Sequence, residues 1–104
     1  MPDYVFAYHG GGKFATKEEG DRAMAAWRAW FANMGAAVVE GGKPVGKSYT
    51  VSAKGVADNG GANPISGYSV IHAKDLGAAL EMAKGCPMLQ GGAGTVEVAE
   101  AINM

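Results

Sequence analysis

Apolar residues recur at helical spacing in two stretches of the chain. In the first, Met24, Trp27, Trp30, Phe31 and Met34 follow a three-and-four rhythm that lays them along one stripe, while Lys17, Glu18, Asp21 and Arg28 are left for water. Thr16 followed three residues later by Glu19 is a capping-box pattern, in which each side chain satisfies a free backbone N–H at a helix start. Gly35 supplies the stop, because glycine accepts the positive φ that ends many helices. The second helix is expected from 75 to about 84, with Asp75 as N-cap, Leu76, Ala79, Leu80 and Ala83 inward, and Gly85 then Pro87 ending it. Short segments rich in Val, Tyr or Thr and fenced by glycine predict strands over 4–9, 37–40, 47–53, 68–73 and 95–99.

The resulting order, β-α-β-(β)-β-α-β, predicts an α+β protein of ferredoxin-like architecture: an antiparallel sheet with both helices on one face, in a single domain over 1–104. No further helix is left to cover the opposite sheet face, so a second copy related by a two-fold axis is the expected cover. Glycines sit at the joints, notably at 10–12, 41–42, 60–61, 91, 92 and 94, where they punctuate strands and form no repeat. The stretch 56–66, carrying Asp58, Asn59, Gly60, Gly61, Asn63 and Pro64, reads as the longest irregular loop.

Composition narrows the partners. The 104 residues are 48% hydrophobic and 18% charged, a globular balance with enough apolar mass for a core. Nine basic and ten acidic residues nearly cancel, and no Lys/Arg cluster offers a footprint for phosphate backbones or anionic lipid, so neither nucleic acid nor membrane is an expected partner. The opening segment lacks the basic-then-apolar pattern of a secretory signal, and no apolar run approaches the ~20 residues of a membrane span, so a cytoplasmic location is expected. The single cysteine, Cys86, has no internal disulfide partner and no activating base beside it, which fits a small buried hydrophobe better than a nucleophile.

Three stretches resemble the C-terminal half of YCII-related (DGPF-type) proteins: Asn63 to His72, Asp75 to Pro87, and Gly92 to Val98. The Trp30–Phe31 helix, the strand from Ala36 to Val39 and the turn from Gly42 to Pro44 fit the same template, so the resemblance spans nearly the whole chain. It implies a ferredoxin-like protomer that dimerises into an α+β barrel with a ligand cleft, in a family whose members mostly have no established activity. Two departures bear on function. The Asp-Gly-Pro-Phe stretch is replaced by Asp58 to Gly61 and Asn63 to Ile65, so no acidic site residue carries over. Where some relatives have a histidine after the Cys-Pro pair, this chain has Met88.

Five polar residues are candidates for chemistry. Alternation along 68–73 puts Tyr68, Val70 and His72 on one sheet face and Ser69, Ile71 and Ala73 on the other, and it turns Glu97 away from Val96 and Val98. His72 and Glu97 paired across the sheet would form an acid–base couple in an inter-protomer cleft, with Tyr68, His9 and Tyr8 touching the ligand. A solvated strand-end histidine and an edge carboxylate are the plainer readings of the same residues. Two separated histidines without further ligands predict no metal site. The run from Gly10 to Lys13 lacks the spacing and following Ser/Thr of a phosphate-binding loop, and no cofactor is expected. Trp27 and Trp30 read as core or interface residues by their spacing. The expected function is therefore a small cytoplasmic homodimer binding a small molecule, with isomerase or lyase activity as its enzymatic form; a non-catalytic accessory or regulatory association module is the alternative.

Overall fold

A computed structural model describes residues 2–11, 14–92 and 94–104. The Gly12 and Lys13 positions of the glycine-rich stretch lie outside the described residues, as does Ala93 of the Gly92-to-Val98 stretch. Along β1 (Asp3–Gly10), Tyr4, Phe6 and Tyr8 are buried while Asp3, Val5, Ala7 and His9 stay partly open. The period-two pattern therefore places one edge of the chain in the core. After β1 come α1 (Lys17–Met34), β2 (Val38–Glu40), a hairpin of β3 (Thr50–Ser52) and β4 (Gly55–Ala57), β5 (Ile65–His72), α2 (Leu76–Lys84) and β6 (Gly94–Glu100). Short 3₁₀ turns cover Gly35–Ala37 and Pro87–Gly92.

The four-stranded sheet runs β2-β5-β1-β6, with every described neighbour antiparallel. This is the ferredoxin-like order, and the fold is α+β as the alternation of elements predicts. Val96 and Val98 pair opposite Tyr8 and Phe6 on the helix side. Ser69 and Ile71 lie on that side too, so the parity read for β5 and β6 is the parity found. The dimensions, 44 × 41 × 20 Å, match one helical layer on one sheet, each layer being about 10 Å thick. The second sheet face is open.

Both helices start as their sequences direct. Thr16 Oγ1 accepts the Glu19 N–H at 3.1 Å and Glu19 Oε2 accepts the Ala15 N–H at 3.1 Å, one residue earlier than the usual reciprocal bond. Gly35 ends α1 with φ +54°, donating its N–H to Phe31. Asp75 Oδ1 caps α2 by accepting the Ala78 N–H at 2.8 Å. Trp30 is the anchor of α1: its ring lies 6.2 Å from Phe6 and its indole N–H donates to the Met82 carbonyl at 3.1 Å, which ties α1 to α2.

The structure corrects several sequence expectations. On α2, Leu76 and Leu80 are exposed; the helix instead rests on Ala79 and Ala83, flanked by Ala78 and Met82. Small side chains bring the helix axis close to the sheet, and each residue is 100° from the next, so the leucines turn to the flank. Met24 is likewise half-exposed on α1. The strand expected over 47–53 is the shorter β3, paired with an unanticipated β4 in the register Val51 to Val56, so the irregular stretch begins after Ala57 and ends at Ile65.

Candidate functional site

Small residues leave space where large ones would fill it. On the sheet-facing side of α1, Ala23 and Ala26 precede Trp27 and Trp30, while the strand ends opposite are built from Gly10, Gly41, Gly42 and Gly67. Between them lies a cleft of about 700 Å³, within the ordinary range for small-molecule sites. Its apolar wall is aromatic. Tyr8 and Trp27 meet edge to face at 5.0 Å, and Trp27 and Phe31 lie 5.9 Å apart. Phe14 and Met24 extend that wall toward the opening, and Met88 closes the side formed by the 3₁₀ turn.

The wall opposite α1 is made by the chain after β2 lying along the start of β5. Val45 N–H donates to Ser66 O at 2.9 Å and Tyr68 N–H to Lys43 O at 3.3 Å, with Pro44 bridged to Gly67. Gly42, at φ +74°, packs so closely on Tyr68 that a Cβ would stand 1.7 Å from its carbonyl oxygen. Only glycine permits that approach.

Behind this wall runs a buried hydrogen-bond chain. Ser69 Oγ donates to Gly41 O at 2.7 Å, which uses its one proton, so the 2.8 Å bond to Tyr8 requires the tyrosine hydroxyl to donate. Burial pushes the Tyr8 phenol up to about 12, the bond with Ser69 pulling in the opposite sense. The phenol is thus a neutral polar point in an aromatic wall. Ser66 Oγ donates to Gly10 O at 2.7 Å, joining β5 to the end of β1.

Charged groups at the cleft are unevenly committed. Glu19 is held in the helix cap. Arg22 and Lys43 also line the space, and among the described residues neither forms an ion pair. Gln90 adds a neutral amide.

Of the five residues picked from sequence, Tyr8 turns its side chain to the cleft's side of the sheet, Tyr68 borders the cleft from a β5 position whose parity belongs to the open face, and the other three do not line it. His72 and Glu97 do share the open sheet face. Their rungs differ: His72 stands opposite Asp3, whereas Glu97 stands opposite Ala7, which in turn faces Tyr68. Four residues along the strands and two strand spacings across put their backbones roughly 16 Å apart. The expected His72–Glu97 couple is not formed in the protomer. His72 Nδ1 lies 2.6 Å from Asp3 Oδ1, and Glu97 Oε1 lies 2.9 Å from His9 Nε2. His9 Nδ1 also approaches Asn63 O at 3.0 Å, so the ring bridges β6 and the segment before β5. Tyr8 and His9, consecutive in β1, point to opposite faces and cannot serve one site together.

Cys86 is buried in the core, and burial pushes its thiol up to about 11, which disfavours the thiolate that a nucleophile needs. Among the described residues no three His, Cys, Asp or Glu side chains gather closely enough to hold a metal ion. Also among them, no helix is long and apolar enough to cross a membrane. The cleft residues Phe14, Arg22, Ala23, Lys43 and Gln90 had no place in the sequence-based site. One signal for them was present: Ala23 and Ala26 continue the inner stripe of Trp27 and Trp30 toward the helix start, where their small side chains leave a gap.

No protein-family model matches this chain, and no curated protein matches it.

Proposed function

We propose that this protein binds a small, largely apolar molecule in the cleft between α1 and the glycine-rich end of the sheet, one site per protomer. The observation carrying this reading is the cleft itself: about 700 Å³, aromatic on one side, with a few polar groups at defined places. The site lies within the protomer, not between two copies. His72 and Glu97 are away from it, so they supply no acid–base couple for an isomerase or lyase acting there, and the reading is one of binding. Its setting is the cytoplasm; Cys86, buried and alone, requires no oxidising compartment.

A bulky side chain grown from α1 tests the site. Ala23→Trp should weaken the neutral fluorescent probe N-phenyl-1-naphthylamine at least about tenfold while leaving the circular dichroism unchanged, because the indole occupies the ligand's volume. Unaltered probe affinity in that variant would remove the cleft as the binding site.

The reading includes a homodimer formed through the open sheet face, in keeping with the YCII-related resemblance. That face has an apolar centre of Val5, Ala7, Val70 and Ala99, with the Asp3–His72 and His9–Glu97 pairs toward its two ends. An apolar middle with a polar rim is the usual anatomy of an interface. Light scattering should give twice the 10.6 kDa chain mass, and Val70→Lys should return it to the monomer. A monomeric parent protein would contradict this.

A second reading, an accessory module acting by protein association, is favoured by the β3–β4 hairpin. Val51 and Val56 face each other there and are 75% and 68% exposed. Two-stranded hairpins are marginal alone, and exposed cross-strand valines suit a partner surface. Under that reading the aromatic cleft takes up no probe.

A further inference from the structure

The cleft distinguishes ligands by charge as well as by shape, because its ionisable side chains are not in balance. Arg22 projects from α1 and Lys43 from the loop after β2, so the two cations approach the space from different elements. Glu19 is the carboxylate that lines it, and its Oε2 already accepts the Ala15 N–H of the helix cap. No acidic side chain pairs with either cation among the described residues. Tyr8 adds no negative charge, since its hydroxyl is protonated and donates to Ser69.

Resting on the cleft reading, we infer that the ligand is an organic anion: a flat apolar body held against Tyr8, Trp27 and Phe31, with a carboxylate turned to Arg22 and Lys43. A flat ring suits walls whose own rings meet edge to face and tilted. A guanidinium presents a planar fork that matches a carboxylate with two parallel hydrogen bonds, and the lysine ammonium adds a mobile point charge. A cation of the same shape would face two like charges, a repulsion that is felt at low ionic strength and screened by salt because Arg22 and Lys43 are exposed. A neutral molecule would use the walls and leave both cations to water.

Three naphthalene probes differing in the charge of one substituent separate this inference from the reading beneath it: 2-naphthoate, 2-naphthamide and 2-naphthylmethylammonium, each titrated by quenching of tryptophan fluorescence at low ionic strength. The expected order is naphthoate tighter than naphthamide by about tenfold, with the ammonium weakest, since a hydrogen bond to a charged group is worth about that factor. In the double variant Arg22→Gln/Lys43→Gln the naphthoate preference should collapse to near unity while naphthamide binds as before. Equal binding of all three by the parent protein, or a preference that survives the double variant, would overturn the anion inference and leave the cleft standing. If none of the three binds, the cleft reading fails and the inference fails with it.

Discussion

Gly42→Ala is expected to destabilise the protein by about 3–5 kcal/mol, whereas Gly41→Ala one residue earlier should change stability by no more than about 0.5 kcal/mol. The contrast comes from backbone geometry. Gly42 has φ +74°, and an added methyl would meet the Tyr68 carbonyl oxygen at 1.7 Å and its carbon at 2.7 Å. Both atoms belong to β5, an inner strand whose position is fixed by pairing to β1 on one side and β2 on the other. Neither can yield as a flexible side chain would. The loop must therefore lift, losing the Tyr68 N–H to Lys43 O and Val45 N–H to Ser66 O bonds and displacing the cleft wall. Gly41 has no positive φ, and a Cβ there meets nothing within 4 Å. Urea unfolding midpoints of the two variants measure the difference directly. Similar midpoints would mean that the loop after β2 does not lie on β5 as described.

Ser69→Ala is expected to cost about 2 kcal/mol and Tyr8→Phe only about 1 kcal/mol, though each removes a single oxygen. Ser69 is fully buried and stands between a donor and an acceptor, so its loss strands the Gly41 carbonyl and deprives the Tyr8 hydroxyl of its partner. Removing the Tyr8 hydroxyl leaves the Ser69–Gly41 bond intact, and the serine still spends its proton. If the double variant Tyr8→Phe/Ser69→Ala costs less than the sum of the singles, the two hydroxyls act as one chain. Equal effects of the two single variants would mean that the Gly41 carbonyl is not left stranded when Ser69 is lost.

The elements legible in the sequence were those whose signals are local. Thr16 with Glu19, Asp75 and Gly35 each act within a few residues of themselves, and all serve as caps. Period-two alternation likewise separated Tyr68, Val70 and His72 from Ser69, Ile71 and Ala73. Alternation gives the face but carries no information on register across strands. Parity therefore gave the side of His72 and Glu97 and not their rungs, and the partners they hold, Asp3 and His9, lie 69 and 88 residues away in sequence.

The cleft was hard to read for a related reason. An amphipathic stripe reports which side of a helix faces inward but not whether the space beneath is filled. The two tryptophans of α1 share that stripe, yet Trp30 fills the core while Trp27 borders the cleft. The difference is set by what lies opposite: Phe6 and α2 for one, strand ends made of glycine for the other. On α2 the leucines outranked the alanines in hydrophobicity, but close packing selected Ala79 and Ala83.

The central claim is that ligand enters between α1 and the glycine-rich strand ends, on the helix side of the sheet. Amide chemical shifts of the ¹⁵N-labelled protein, followed as 2-naphthoate is added, test it most directly. The account expects the changes to gather at Ala23, Ala26, Gly42 and Gly67 and at the Trp27 indole. Changes gathered instead at Val5, Val70, His72 and Ala99 would move the site to the open sheet face and contradict it.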